Sequence, residues 1–509
     1  MSNSQLFRFR PARLAVVVCT VALSACAVGP DVVKPTPAAP DDWTTWSSAA
    51  PSLRASVNLT QAPRATWWQA FSDPVLERLQ VQAIQASPDL KTASLRFAQS
   101  RVQRSTVAAQ RAPEVGLSGS ATRQRQSETG AGTRLIDAIG AGSNADDLKK
   151  LLAEPFTLYQ AGFDASWELD LWGRVSRSIE AADADIAQQA ALLALARQSL
   201  ANDVARNYFE LRTTQRQIRL AREDIAALDE QVEILAARVQ GGILDHLDLE
   251  RQRAEQASLK AQFPALLAQE GASANQLTLL LGERPGALRD QLAPLADNRQ
   301  TPLPDLALGL PSEVALQRPD IRAAEAALAS ATADIGVAQA QLYPSIHLGT
   351  KFGYESYLSG EFTDWGSRTW SIGPSLDLPL FDHGRRKSVV QLRELQQQEA
   401  AVTYQRTVLK AWQEIDDALS AYSAEQQQAQ QLDLQVKSAG EAYSLAQARY
   451  QGGTVDFISV LDSQRSYLQS RRSLVASQGR LRTRFVTIKK AVGAPIHVVS
   501  PGSNDGTKH

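Results

Sequence analysis

Two long stretches without glycine or proline limit what this chain can fold into. Residues 174–240 contain neither residue type, and residues 385–439 also contain neither. Glycine and proline are the residues that most often end or kink a helix, so both stretches are predicted to form uninterrupted helices. At about 1.5 Å per residue, the first helix would be about 100 Å long.

Apolar residues recur every seven positions within both stretches. The first series comprises Val204, Leu211, Ile218, Ile225, Val232 and Val239, and the second comprises Ile415, Tyr422, Ala429, Val436, Tyr443 and Tyr450. A strict seven-residue repeat keeps one seam facing a partner helix and favours left-handed supercoiling. We therefore expect coiled-coil helices that are much longer than a globular domain requires.

The second half of the chain repeats the plan of the first. Residues 88–91 (PDLK) and 319–322 (PDIR) each open an alanine-rich helical pattern, and the same offset of 231 positions separates the prolines that end these patterns, Pro113 and Pro344. An offset of 211 separates Gly173 from Gly384, Gly241 from Gly452, and Gly242 from Gly453. Constant offsets over such distances predict two structural repeats, each built as helix, strand, strand, long helix, turn and helix.

Four shorter segments have the two-residue period of β-strands, near residues 115–123, 162–172, 346–354 and 370–380. Alternating apolar and polar side chains fit antiparallel strands with one face in lipid or core and the other in water, and Trp172 suits a bilayer interface. The polar connections 130–147 and 355–367 suit external barrel loops. Four strands cannot close a barrel, and open edges are not tolerated in hydrocarbon, so oligomerisation is expected. By counting alone, a dimer or a trimer would suffice.

The N-terminal segment predicts the compartment. Residues 1–25 combine three arginines with an apolar run at 14–23, which is typical of a secretory signal. Leu23-Ser24-Ala25-Cys26 resembles a bacterial lipobox, so Cys26 is predicted to become an acylated N-terminus, and several acyl chains would anchor it stably. Ala27 follows the cysteine instead of the Asp that retains lipoproteins at the inner membrane, which favours the outer membrane.

Composition and motifs argue against several other classes of protein. The formal net charge of -1 gives no electrostatic reason to bind nucleic acid. The chain has two cysteines, both near its N-terminus, so a disulfide framework and a cysteine-built zinc site are not expected. We find no nucleophile elbow, phosphate-binding glycine loop or metal-ligand cluster, and no enzyme activity, metal or cofactor is predicted apart from the covalent lipid on Cys26.

Several motifs together resemble the lipoprotein branch of the TolC-type outer membrane efflux proteins, the NodT and OprM group. They are residues 26–31 (CAVGPD), 67–74 (WWQAFSDP), 163–174 (FDASWELDLWGR), 318–320 (RPD) and the two Gly-Gly turns. The resemblance covers nearly all of residues 26–495. It implies a mainly α-helical protein with a small β part, in which a homotrimer forms one twelve-stranded transmembrane barrel continued by a long coiled-coil α-helical barrel in the periplasm.

The resemblance also implies a function and partners. Such a channel would be lipid-anchored in the outer membrane, meet a periplasmic adaptor (membrane fusion) protein and an inner-membrane pump, and pass drugs or other small solutes outward. Glu414, Asp416 and Asp417 are candidates for a constriction, because Asp417 matches the family position where a carboxylate ring narrows the periplasmic entrance. The candidates for adaptor docking are the turn residues Gly241, Gly242, Asp245, Gly452, Gly453 and Asp456.

The predicted organisation has five parts. They are a signal peptide at 1–25, a lipidated tether at 26–66, a first repeat at 67–300, a second repeat at 301–495 and a disordered tail at 496–509. Two other functions stay open at this point: an elongated coiled-coil periplasmic scaffold or adaptor lipoprotein, and an exit duct for secreted proteins or metals. The exported substrate is not predicted.

Overall fold

The computed structural model describes residues 27–493, apart from gaps at 34, 37–38, 41, 44, 49, 55–65, 132, 140–144, 296–302, 307, 309–310, 312–313 and 315–316. The predicted Cys26, signal peptide and C-terminal tail lie outside the described residues. The described chain is mainly helical with a small β part, which confirms the fold class at that level.

The helices and strands follow one another in the order of the two halves. In chain order they are α1 (Pro74–Ala86), α2 (Pro88–Ala109), β1 (Glu114–Gln124), α3 (Arg134–Ile139), α4 (Ala145–Leu152), β2 (Phe156–Leu169), α5 (Arg174–Gln240), α6 (His246–Leu280), α7 (Pro319–Ala340), β3 (Ser345–Ser356), β4 (Arg368–Asp377), α8 (Arg385–Gln451) and α9 (Phe457–Val492). The long helices α5 and α8 each have 67 residues, and α2 and α7 each have 22.

The structure corrects three boundaries. The strand predicted at 162–172 begins at Phe156 and ends at Leu169, because Asp170 leaves the strand and its carboxylate accepts hydrogen bonds of 2.8 Å from the backbone N–H groups of Val175 and Ser176. Strand β4 ends at Asp377, three residues early, where Pro379 cannot donate to a ladder. The region predicted as a loop, 130–147, contains α3 and the start of α4.

The described chain divides into two compact units. The sheet unit comprises residues 27–33, 100–185 and 328–399, and the helical unit comprises residues 34–99, 186–327 and 400–493. In the sheet unit the strands form one antiparallel sheet in the order β1-β2-β3-β4. Strands β2 and β3 are therefore neighbours although α5, α6 and α7 separate them in sequence.

The core of the helical unit is aromatic where the N-terminal part of the chain meets the long helices. Trp67 and Trp68, which open the motif at 67–74, are 3% and 4% exposed. The ring of Phe71 lies 4.8 Å from Phe209 and 5.3 Å from Phe485, centroid to centroid. Buried aromatic pairs of this kind add about 0.5–1.5 kcal/mol each beyond the area that they bury.

The seven-residue seam faces the interior, as predicted. Val204, Leu211 and Ile218 of α5 are buried, as are Ile415 and Tyr422 of α8, and the remaining members of both series are half-buried. The seam therefore packs inside a single chain.

Candidate functional site

The two glycine turns have the same backbone geometry. Gly242 and Gly453 adopt left-handed backbone conformations, with φ of 74° and 72°. The N–H after each glycine reaches back to the helix: Ile243 donates to the carbonyl of Arg238 at 2.9 Å, and Thr454 donates to that of Arg449 at 3.0 Å. These are Schellman motifs, which satisfy the free carbonyls at the end of a helix and reverse the chain.

A common apolar cluster holds the two turns together in the helical unit. Leu235 of α5, Leu249 of α6, and Phe457, Val460 and Leu461 of α9 are buried in this cluster. Ile243, at the outer end of the first turn, is 76% exposed, and the candidate residues Gly241, Gly242, Asp245, Gly452, Gly453 and Asp456 are all exposed. The structure thus brings both sets of turn residues to one surface.

A network of glutamines, which the sequence analysis missed, fixes the helices just behind these turns. Gln231 of α5 donates to the hydroxyl of Tyr443 at 2.9 Å and accepts from Gln252 and Gln464, each at 2.8 Å. Gln252 and Gln464 are 0% and 4% exposed. Gln252 and Gln464 each follow a buried leucine of the apolar cluster by three positions, Leu249 and Leu461, and this spacing was the available signal, because a glutamine on a buried helix face requires partners.

The two turn carboxylates differ in their contacts. Asp245 caps α6, since its side chain accepts a hydrogen bond from Leu247 N at 3.2 Å. Asp456 occupies the corresponding position before α9 but makes no such side-chain bond. A charge-removing substitution at Asp245 therefore has to keep an acceptor if the helix start is to be preserved.

The three constriction candidates occupy three different environments. Glu414 pairs with Arg318 at 2.8 Å, whereas Asp417 is exposed. Asp416 accepts from Ser47 Oγ at 2.8 Å and from the backbone N and Oγ of Ser48 at 2.9 and 2.6 Å. Burial opposes the ionisation of Asp416, but the hydrogen bonds from Ser48 and Ser47 outweigh it and lower its pKa.

These carboxylates lie in the middle of α8, not near its end. Asp416 precedes the last residue of the helix, Gln451, by 35 positions, which is about 50 Å along the axis. Any ring that they form would narrow a passage at mid-helix, well away from the Gly-Gly turn. The constriction formed by these carboxylates stays a prediction.

Arg318, noted only as part of a motif, links several elements of the helical unit. It is 5% exposed, donates to both carboxylate oxygens of Asp320 at 3.0 and 2.7 Å, and also donates to the carbonyl of Ala491 at the end of α9. Together with the bond to Glu414, these contacts place the guanidinium of Arg318 between α7, α8 and α9.

The sheet has one apolar face and one polar face. Leu117, Phe163, Phe352 and Trp370 lie opposite one another across all four strands, and their exposed fractions range from 47% to 72%. The next row, on the other face, is Gly116, Asp164, Lys351 and Ser371. Large side chains rarely form such an exposed row on a water-facing sheet, so the apolar face needs a cover.

The outer strands of the sheet, β1 and β4, each pair along one side only within the described residues. Among those residues, no helix is both long enough and apolar enough to cross a membrane. The described part of the chain also holds no group of three or more His, Cys, Asp or Glu side chains arranged to bind a metal.

Comparison with known proteins gives consistent matches over almost the whole chain. A family described as outer membrane efflux protein matches residues 79–283 and 310–494. The pyoverdine export outer membrane protein OpmQ of Pseudomonas putida is 30% identical, over 96% of this chain and 99% of that protein. The toluene efflux pump outer membrane protein TtgF, also of P. putida, is 30% identical over 94% and 95%. The solved structure of the outer-membrane channel OprN superimposes with a TM-score of 0.81 at 28% identity, covering 92% of this chain and 100% of that one.

Proposed function

This chain belongs to the outer membrane efflux protein family and is the outer membrane channel of a tripartite efflux pump; we propose that three copies share one transmembrane barrel, to which each contributes four strands. On this proposal α5 and α8 of the three copies continue the barrel as a coiled-coil α-helical tunnel in the periplasm. The two halves of the chain would then act as two structural repeats that alternate around one axis.

The two-faced sheet with open edges is the observation that carries the proposal. An exposed apolar row is stable where lipid covers it, and the polar face opposite it suits a water-filled lumen. In hydrocarbon, however, the free N–H and C=O groups along β1 and β4 would each cost several kcal/mol. Pairing β4 of one copy with β1 of the next satisfies both edges and closes the ring.

The internal repeat predicts how those edges align. Glu114 pairs with Ser166 between β1 and β2, and the residues 231 and 211 positions later, Ser345 and Asp377, pair between β3 and β4. The same two offsets therefore relate both hairpins. Applied to the pair Asp164 and Lys351 of β2 and β3, they place Ser375 of one copy opposite Ser120 of the next.

A cysteine cross-link tests this alignment. Directly opposed strand residues have Cα atoms about 5 Å apart, within disulfide range, so the double variant Ser120→Cys, Ser375→Cys should form covalent dimers and trimers under mild oxidation. The matched control is Ser120→Cys, Ser371→Cys, whose residues would be more than about 13 Å apart. Single-cysteine variants control for disulfides through Cys26.

Two results would count against the proposal in different ways. Efficient cross-linking of the control pair, with none at Ser120 and Ser375, would overturn the alignment but keep the shared barrel. A protein that stays monomeric in detergent and in membranes, with neither pair cross-linked, would overturn the trimer itself.

The same proposal covers the lipid anchor, the partner proteins and the carboxylates that would line the tunnel. Cys26 would carry the acyl chains that hold the chain in the outer membrane, and the exposed turns would meet a periplasmic adaptor that joins the channel to an inner-membrane pump. The carboxylates of Asp416 and Asp417, repeated in three copies, would give the tunnel a negative band at mid-helix and favour cations there.

The cargo is proposed to be small organic solutes. OpmQ and TtgF, named for pyoverdine and toluene, support this class because both match this chain over nearly its full length. Export assays with a large siderophore and a small aromatic solvent, in a strain that lacks its own outer membrane channels, would decide which of the two size ranges this channel carries.

A further inference from the structure

A cavity of about 250 Å³, partly open to solvent, lies between α5, α8 and α9 of the helical unit. Three guanidinium groups line it, those of Arg216, Arg219 and Arg471, against a single carboxylate, that of Glu223. Its remaining walls are apolar. The cavity therefore concentrates positive charge in surroundings that screen charge less well than water does.

One of the three arginines is neutralised within the chain. Arg471 donates to Asp224 at 2.9 Å and to Glu223 at 3.4 Å. Its guanidinium also lies 5.5 Å from the ring centroid of Tyr467. The two acidic side chains nearest the cavity are thus both committed to Arg471.

The other two arginines have no acidic partner in the described part of the chain. The Nε of Arg216 donates only to the carbonyl of Arg212, at a long 3.4 Å, and its buried Nη1 has no hydrogen-bond partner there. The guanidinium of Arg219 makes no hydrogen bond or ion pair with any described residue. Burial, together with repulsion from Arg482 and Arg219, lowers the pKa of Arg216 to about 10.

The arginines of α5 are regularly spaced, so the excess of positive charge follows one face of the helix. Arg212, Arg216 and Arg219 follow at intervals of four and three, so all three lie on one face of the helix. Arg212 is bonded through Nη1 alone, which donates to Gln215 at 2.8 Å and to the carbonyl of Ala293 at 2.7 Å, and its buried Nε and Nη2 have no partner among the described residues. Unpaired guanidinium donors therefore recur along this face, and those of Arg216 and Arg219 are the ones that line the cavity.

We propose that this cavity binds a tetrahedral oxyanion, inorganic phosphate or sulfate, between Arg216 and Arg219. A guanidinium group presents N–H donors in a fork that matches two oxygens of one anion, which a monatomic ion does not offer. The volume is several times the roughly 30 Å³ that a water occupies, so an oxyanion fits with its remaining hydration. Bound there, it supplies the missing counter-charge and ties α5 to the neighbouring helices.

Titration of the purified, detergent-solubilised channel with phosphate tests the site. Calorimetry at constant ionic strength, with chloride as the balancing ion, should show saturable binding and a parallel rise in the unfolding temperature. Because a charge-assisted hydrogen bond contributes about 1.5–3 kcal/mol, Arg219→Gln should weaken binding about tenfold to hundredfold. Glu223→Gln should tighten it, because that change removes the carboxylate that repels the anion. Arg253→Gln, at an exposed ion pair on α6, should change neither quantity.

Two outcomes would overturn the proposal. If phosphate raises the unfolding temperature equally in the wild type and in Arg219→Gln, the effect is that of salt in general and the cavity binds no anion. If phosphate does not bind the wild type while Arg219→Gln dissociates the oligomer, an acidic side chain of another copy supplies the counter-charge. The effect of Glu223→Gln is informative even if Arg219→Gln fails to fold.

Discussion

At the scale of single residues, burial of basic side chains sets how the helical unit responds to pH. Lys489 of α9 is 4% exposed, and its Nζ lies 5.2 Å from the ring centroid of Phe485. Burial lowers its pKa from 10.5 to about 8. Its neighbour Lys490 is exposed. Two adjacent lysines therefore carry the same charge in the unfolded chain but face different environments in the folded one.

The lowered pKa of Lys489 predicts a rise in stability with pH. Between pH 8 and 10.5 the unfolded chain binds more protons at this position than the folded chain does, so the free energy of unfolding increases as pH rises. Below pH 8 both states are protonated and the full penalty of the buried charge remains. Lys489→Met should thus stabilise the protein at pH 7, by at most about 3 kcal/mol, and flatten the pH dependence.

Denaturant unfolding at pH 7 and pH 9.5 measures both effects. Lys490→Met is the matched control and should leave the pH dependence of the wild type unchanged. Equal pH slopes in the wild type and in Lys489→Met would show that the lysine is not buried as described.

Arg318 shows what sequence reasoning reaches at this scale and what it does not. The residues Arg318, Pro319 and Asp320 stand out as a motif, and the start of a helix at Pro319 is predictable from them. The bonds from Arg318 to Glu414 and to the end of α9 join residues about 100 or more positions apart, and no local pattern encodes such a pairing. Glu414 was therefore selected from its place on the helix alone, without knowledge of its ion pair with Arg318.

At the scale of elements, the Gly-Gly turns depend on one glycine of each pair. Gly242 has a φ of 74°, and a Cβ added there would meet nothing within 4 Å. Gly241 has no left-handed backbone, and a Cβ there would make only ordinary contacts, the nearest at 3.5 Å. Any loss of stability caused by a side chain at Gly242 therefore comes from the backbone conformation and not from a steric clash.

A pair of alanine substitutions separates the two glycines. Gly242→Ala should destabilise the turn by about 1–2 kcal/mol, because an L-residue pays that cost in the left-handed region. Gly241→Ala should be neutral or slightly stabilising, since it only restricts the unfolded chain. Hydrogen exchange of the amides at 238–246 measures the local effect, and equal exchange rates in both variants would contradict the Schellman assignment.

Helix ends and strand ends were predictable to different degrees. Helix α5 spans the glycine- and proline-free stretch residue for residue, and α8 runs on past Gly440 to the turn, because one glycine costs a 67-residue helix only about 1 kcal/mol. The end of β2 was missed because Asp170 continues the alternating pattern yet bonds to the N-terminus of α5. Because Asp170 suits both a strand and the N-terminus of a helix, its residue type does not decide between them, and its hydrogen-bond partners do.

At the scale of the whole molecule, the exposed turns are the surface that we propose joins the channel to its adaptor. Replacing the candidate aspartates by arginine would confound charge with structure at Asp245, which caps α6. Asn keeps a side-chain acceptor at that position and removes only the charge. The double variant Asp245→Asn, Asp456→Asn therefore isolates the electrostatic part of docking.

We expect this double variant to assemble normally and to lose adaptor binding by about tenfold or more. Each exposed ion pair contributes up to about 1 kcal/mol, and three copies would present two such carboxylates each. Cross-linking to the adaptor and the minimum inhibitory concentrations of exported drugs measure the loss. Glu230→Gln, at an exposed position of α5 away from the turn, is the control. Wild-type efflux and cross-linking in the double variant would show that these carboxylates do not contribute to docking.

The close contact between Ala27 and Gly173 restricts the level at which the proposed lipid anchor can meet the membrane. Gly173, at the junction of β2 and α5, has a φ of 78°, and a Cβ on it would lie 2.8 Å from the Cα of Ala27. The backbone N–H of Val28 is bonded to the carbonyl of Trp172 at 3.1 Å, so the chain is held at this junction. On the proposed function Cys26 carries the acyl chains, and because consecutive Cα atoms are about 3.8 Å apart, those chains would attach close to this junction. Lipid tails and strands would then have to meet the bilayer at one common level, so that a membrane of the wrong thickness would strain both attachments at once.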